Sequence, residues 1–255
     1  SSNKTGHFFG ARMTYCVGLR LDRGLVFMSD TRTNAGVDNV STFRKMFTWV
    51  KPGEASITLL TAGNLATTQS VISELDERSK VIQERNPSIL EQPSMFQVAK
   101  LVGNTLKEVI HRNADTGQKA DASFNATMIV GGQIRGSEPR LFMVYPEGNF
   151  IEASVDTPFF QIGETKYGRP ILVRAFDPDM SFEDAVKLLL VSFDSTIKAN
   201  LSVGLPLDLE IYETDSYSIG RQRRINADDP YYQTISNGWG DALKQAFQHL
   251  PDFSF

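Results

Sequence analysis

The chain has 255 residues, 41% hydrophobic and 22% charged, with a formal net charge of −4 and one cysteine. That length builds a sizeable core. The slight acidity argues against a dedicated nucleic-acid binder, a lone Cys16 excludes an internal disulfide framework and fits a reducing, cytoplasmic setting, and no apolar run reaches the length of a membrane span.

Residues 1–12 (SSNKTGHFFGAR) are polar and lack the apolar centre of a signal peptide. They read as an appended tag, with Met13 as the start codon, or as a short natural pro-segment. Residues 14–21 alternate: Tyr15, Val17, Leu19 and Leu21 share one face, Cys16, Gly18 and Arg20 the other. This is a strand, and Asp22-Arg23-Gly24 turns it into a return strand. Residues 42–50 and 55–62 form a second expected pair around Lys51-Pro52-Gly53-Glu54. Two helices follow, over about 64–85 and about 95–113. The second opens with Ser94 and Gln97 at capping-box spacing and carries Phe96, Ala99, Val102, Leu106, Val109 and Ile110 on one stripe.

The β pattern returns at 124–131, 140–145 and 158–163, with a turn at Pro146-Glu147-Gly148-Asn149. A short helix is expected near 167–175 and a long one from Phe182 to about Asn200, capped by Ser181 with Asp184 three residues on. A last strand covers 208–214. The tail holds Arg221, Arg223 and Arg224, the segment DDPYY, which together read either as a contact surface for a neighbour or as a solvated tail, and a short helix near 240–249. Runs of strands alternating with pairs of helices argue against a parallel βαβ sheet. They suit an α+β, four-layer αββα sandwich of two antiparallel sheets between helices. No repeat or linker marks a boundary. The expected division is a leader over 1–13, a single catalytic-type domain over 14–215 and a C-terminal extension over 216–255 packed on it.

Motifs for zinc, nucleotide and α/β-hydrolase chemistry are absent, and His7, His111 and His249 lie far apart outside any motif. Neither a metal nor a cofactor is expected. Hydrolysis therefore needs another nucleophile and base. Thr14 offers both. Removal of Met13 leaves Thr14 with a free α-amine of pKa about 7.7–8.0, which accepts the proton of its own hydroxyl. Asp30, Lys45 and Gly63 follow in order, each with a bland alternative as turn residue, solvated charge or tight turn. Cys16, two residues from Thr14, reads as a small buried apolar residue.

The run TYCVGLRLDRGLVFMSDTRTNAG over 14–36 resembles the start of proteasome β-type subunits and of the bacterial peptidase that pairs with an unfoldase. With STFRKM and LTAGNLATTQ it is most similar to Anbu, the bacterial ancestral-β-subunit family. The resemblance runs from Met13 to about Glu213, dense over 14–69 and architectural beyond, and the C-terminal extension suits Anbu too. It implies the N-terminal-nucleophile hydrolase fold and a threonine peptidase working inside a self-compartmentalising oligomer.

The resemblance also implies roles. Thr14 would be the nucleophile and Lys45 the catalytic lysine, one position earlier than an ungapped match, which falls on Met46. Asp30 would anchor Lys45, and Gly63 would give the oxyanion N–H. Thr33, Asn34 and Gly36 would form the edge that pairs with an extended substrate, and Arg44, Thr61 and Leu65 would line the first specificity pocket. Two positions depart from the proteasome pattern. Glu164 stands where a Gly-Ser-Gly segment has serine, as a substitute proton-network partner. Ser202 matches a supporting serine, but Ala199 or Asn200 falls where its aspartate should be.

The expected partners are other copies of the chain, in a ring or open spiral of about twelve subunits, and a peptide or unfolded protein. An ATPase partner is left open, and neither nucleic acid nor membrane is expected. Two other readings stand beside the peptidase: a weak or inactive assembly subunit, and an amidase acting on a small amide. With residues 1–13 attached the amine is a peptide nitrogen, and the chain should be inactive.

Overall fold

The computed structural model describes residues 14–34, 40–80, 87–115 and 124–255. Its strands are β1 (Tyr15–Leu21), β2 (Gly24–Ser29), β3 (Arg32–Asn34), β4 (Val40–Thr42), β5 (Met46–Lys51), β6 (Ala55–Gly63), β7 (Ala126–Ile134), β8 (Arg140–Val144), β9 (Phe150–Glu152), β10 (Phe159–Gly163), β11 (Leu207–Glu213) and β12 (Arg221–Ile225). The described helices are α1 (Leu65–Lys80), α2 (Met95–Asp115), α3 (Arg169–Ala175), α4 (Phe182–Ala199) and α5 (Pro230–Gln248).

One sheet runs β10-β1-β2-β11-β12 and the other β5-β6-β7-β8-β9, with β3 and β4 forming a separate ribbon. Every pairing is antiparallel. The alternation of β1 decides its two environments. Tyr15, Val17, Leu19 and Leu21 pack outward against α4, with Leu189 and Phe193 among the contacts. Cys16 points inward, where Leu25, Phe27 and Tyr212 meet Met46, Leu60, Ile129 and Leu141 of the facing sheet. The second sheet turns its other face to α1 and α2, through Ile57, Leu59, Val71, Leu75, Val102 and Leu106. The order of layers is thus α3/α4, sheet, sheet, α1/α2. Each large apolar side chain buried this way contributes about 1.5–3 kcal/mol. No described helix is long and apolar enough to cross a membrane.

Several sequence expectations need correction. Residues 42–50 do not form one strand. The ladder breaks at 43–45, where the chain leaves β4 and enters β5 one turn later, because Lys45 turns inward to an acid on the first sheet. Phe96 is 45% exposed and leaves the α2 stripe, whose buried set includes Met95, Val98 and Leu101 instead; its ring packs edge-on against Phe150. The helix over 64–85 begins at Leu65, with Asn64 outside as cap for the Thr67 amide at 2.9 Å, and is described to Lys80. Residues 150–152 form an unanticipated edge strand, β9.

The tail departs most. Arg221–Ile225 is strand β12, paired with β11. The final helix is 19 residues long, not a short one near 240–249. It starts inside DDPYY, where the Asp229 carboxylate accepts the Tyr232 amide at 3.0 Å and Pro230 occupies the first turn. The anticipated caps at Ser94 and Ser181 are present, accepting from the Gln97 and Asp184 amides at 3.2 and 3.1 Å.

Candidate active site

Thr14 lies just before β1 and is held from three sides. Its carbonyl accepts the Glu164 amide at 2.6 Å. The next residue, Tyr15, exchanges two bonds with Asp30: Asp30 N donates to the Tyr15 carbonyl at 3.0 Å, and Tyr15 N donates to Asp30 Oδ1 at 3.1 Å. The Tyr15 ring stacks on Phe193 with centroids 4.4 Å apart, and its hydroxyl lies 2.7 Å from both Ser192 Oγ and Gln161 Nε2. Burial pushes that phenol up to about 12, so it stays neutral. Opposite Thr14, Gly163 has φ +84°, and a Cβ there would stand 1.9 Å from the Thr14 carbonyl oxygen. Only glycine fits.

Asp30 follows β2 and is fully buried. Lys45 Nζ donates to its Oδ1 at 2.7 Å, and the Gly204 amide donates to Oδ2 at 3.2 Å. Burial pushes the carboxyl above its ordinary value, while the Lys45 cation and the Tyr15 and Gly204 amides pull against it. All three neighbours are donors, which is the coordination of a carboxylate. Lys45 itself is 5% exposed and also donates to the Arg32 carbonyl of β3 at 2.6 Å. Met46, one residue on, points into the core between the sheets.

A cleft of about 40 Å³ gathers Thr14, Lys45, Gly63, Thr33, Arg44, Thr61 and Leu65 in its walls. Residues scattered over fifty positions of sequence thus share one small space. Gly63 ends β6 with φ +120°, and a Cβ there would come within 2.5 Å of the Asn125 carbonyl oxygen. The glycine is required by the backbone whatever else it does. Asn34 sits on β3 in register with Val40; Gly36 lies outside the described residues.

Glu164 is 6% exposed. Asn200 Nδ2 donates to its Oε2 at 3.2 Å, and Asn200 Oδ1 accepts from Ser202 Oγ at 2.6 Å. Glu164, Asn200 and Ser202 are one chain of hydrogen bonds beside Thr14. Asn200 as its middle member, Arg32 and Gly204 are the participants that sequence reading did not assign. Arg32 donates to the Leu201 carbonyl at 2.7 Å, and a Cβ at Gly204 would stand 2.3 Å from Arg32 Nε, so a larger residue there would push the arginine aside. The last two act through backbone atoms, which residue patterns do not reveal.

Cys16 is fully buried, its Sγ 3.7 Å from the Thr61 carbonyl, and burial pushes its thiol strongly up. It is not poised as a nucleophile. His249 lies exposed at the end of α5, with Nδ1 2.6 Å from the Gln245 carbonyl, and His111 is exposed on α2.

A proteasome subunit family profile matches residues 12–209. The structure superposes on Anbu from Yersinia bercovieri with a TM-score of 0.88 at 48% identity, covering 95% of this chain and 100% of that one. The chain belongs to the Anbu family of proteasome-like subunits. Anbu from Hyphomicrobium sp. strain MC1 gives 0.85 at 50% identity over 95% of this chain and 100% of that one. The chain in a helical assembly of the Anbu complex from Pseudomonas aeruginosa gives 0.88 at 46%, over 94% and 98%. A more distant curated relative is a proteasome subunit beta of Haloquadratum walsbyi, 23% identical over 206 residues, or 81% of this chain and 76% of that protein. The Anbu relatives extend over the C-terminal β12 and α5, beyond the end of the profile match.

Proposed function

We propose that this Anbu subunit is a threonine peptidase whose active form begins at Thr14. The observation that carries the reading is the single cleft in which Thr14 and Lys45 meet Gly63, with Lys45 bonded to buried Asp30.

The chemistry follows from those positions. The Thr14 hydroxyl oxygen attacks a peptide carbonyl carbon and passes its proton to the Thr14 α-amine. The Lys45 ammonium favours the deprotonated hydroxyl, and Asp30 holds that ammonium in place. The Gly63 N–H holds the oxyanion, a contribution of about 3–4 kcal/mol in such sites. The carbon–nitrogen bond then breaks, the leaving amine takes the proton back, and an ester remains on Thr14. Water, deprotonated by the same amine, hydrolyses it. An extended substrate pairs with the edge of β3 at Thr33 and Asn34. Glu164, bridged to Ser202 by Asn200, holds the main chain of Thr14 from the other side. The first specificity pocket is lined by Arg44, Thr61 and Leu65.

The test compares hydrolysis of a mixed peptide library by protein starting at Thr14, protein retaining residues 1–13, and a Thr14→Ala variant. Only the first should cleave. Cleavage by the Thr14→Ala variant would refute the assignment.

The subunit is further proposed to work as a homo-oligomer. The Pseudomonas relative is a helical assembly, and α5 and the tail expose Leu243, Phe247, Leu250 and Phe253 to solvent, apolar side chains that a neighbouring subunit would cover. A second reading, an assembly subunit without activity, is favoured by one feature: an acid, Glu164, stands where the proteasome pattern has serine. Absence of cleavage by the Thr14-starting protein would select it.

A further inference from the structure

Arg44 and Phe47 stand in the walls of both the Thr14 cleft and a larger cavity of about 690 Å³, whose other walls come from β5, α1, β11 and β12. Its walls carry several charges, and most are already committed. Arg224 grips Asp208 through two bonds, Nε to Oδ1 at 2.8 Å and Nη2 to Oδ2 at 3.0 Å. Arg223 is paired with Asp229. Asp76 is paired with Lys80 at 2.8 Å. Lys45, in the reaction cleft, is paired with Asp30.

Arg44 differs. It is exposed, lies in the walls of both spaces, and among the described residues has neither a carboxylate nor a hydrogen-bond acceptor as partner. An unpaired guanidinium at the mouth of a cleft is a receptor for an anion. The remaining walls mix polar Thr33, Thr61, Thr68 and Gln69 with apolar Phe47, Ala62 and Leu65, so a polar guest finds hydrogen-bonding partners there. The guest's size is limited by the 40 Å³ of the cleft itself.

We infer that the peptidase selects substrates with an acidic side chain, aspartate or glutamate, on the residue that donates the attacked carbonyl, and that Arg44 reads this charge. The inference rests on the peptidase reading above. When a carbonyl carbon stands between the Thr14 hydroxyl and the Gly63 N–H, the side chain one bond away on its acyl side enters the cleft walled by Arg44, Thr61 and Leu65. A carboxylate there meets the free guanidinium and lies in the field of Lys45. A basic side chain meets two cations instead.

The test uses three fluorogenic peptides that differ only in that residue: Glu, Leu or Arg. They are given to protein starting at Thr14 and to its Arg44→Met and Arg44→Glu variants. The ratios of kcat/KM are read within each protein, so a general loss of activity does not affect the reading. With Arg44 present, Glu should be favoured over Leu by roughly two- to fivefold at low salt, as fits an exposed ion pair. The preference should shrink at 1 M salt, fall to near unity in Arg44→Met, and reverse toward the Arg peptide in Arg44→Glu. Equal cleavage of all three, or a Glu preference that survives Arg44→Met, overturns the charge preference while leaving the peptidase intact. A protein that cleaves none of them and takes no electrophile on Thr14 overturns both.

Discussion

Lys45 holds the site together from two directions. It lines the same cleft as Thr14, and among the described residues it is the only charged partner of a fully buried Asp30. Removing one member of a buried pair leaves the other uncompensated, at a cost of about 3–5 kcal/mol. Lys45→Ala should therefore lose hydrolysis and also lower the denaturation midpoint by an amount of that order. The double variant Asp30→Asn/Lys45→Met should recover stability without recovering activity. A Lys45→Ala protein as stable as the parent would mean that the pair is not what fixes this corner of the fold. Cys16 gives a control of opposite kind. It sits two residues from Thr14, but burial raises its thiol and closes it off. At pH 7.5 the native protein should resist thiol alkylation, measured by intact mass, and alkylate only after unfolding. Labelling at the native site would show that the space between the two sheets opens at β1.

Among elements, the tail shows where sequence reading stops. Alternation in 14–21 places Tyr15 and Cys16 on opposite faces, and the packing follows it, because period two leaves little freedom when both faces are covered. Arg221–Ile225 carries no such signal. Its arginines alternate with nothing apolar, and it becomes a strand because β11 offers a free edge and Asp208 a partner. The long α5 was hidden for a related reason: it buries little beyond Tyr232, so its apolar residues do not form a core stripe. In the site, Thr14, Asp30, Lys45 and Gly63 were picked out by their order and spacing against the family pattern, since each alone has a bland reading, and the structure brings Thr14, Lys45 and Gly63 to one cleft with Asp30 bonded to Lys45. Arg32, Gly204 and the bridging part of Asn200 were not, because each acts on a backbone atom or on another supporting residue.

The cap of α5 is testable through acid. The Tyr232 amide, and then Arg223, hold the Asp229 carboxyl below its ordinary value. An acid held down in the folded state adds stability that is complete above its unfolded pKa, about 3.9, and lost as pH falls through the folded value. At pH 6 Asp229→Ala should lower thermal stability by about 1 kcal/mol. At pH 2–3 the two proteins should converge. A gap that persists in acid would assign the effect to something other than the carboxylate. Gly163→Ala asks the same question of the strand beside Thr14. With φ +84° and 1.9 Å to the Thr14 oxygen, it should displace that residue and reduce hydrolysis far more than it reduces global stability.

For the whole molecule, the fold presents a cleft walled by Thr14, Lys45 and Gly63 and an exposed apolar helix end on α5. In a homo-oligomer the second feature is covered. Native mass spectrometry of the protein should show multiples of the subunit mass, and Phe247→Glu, placed on a side chain 74% exposed in the subunit, should shift the population toward smaller species without unfolding them. An unchanged assembly would place the contact elsewhere.

The most direct test concerns the nitrogen of Thr14. Protein that begins at Thr14 is treated with an electrophile directed at N-terminal threonine, and the adduct is located by mass spectrometry across pH 6–9. One adduct should form, on Thr14, faster as the α-amine loses its proton near pH 7.7–8.0, and none should form on protein retaining residues 1–13. An adduct that ignores pH, lies on another residue, or forms equally with the leader attached would contradict the assignment of Thr14 as nucleophile and base.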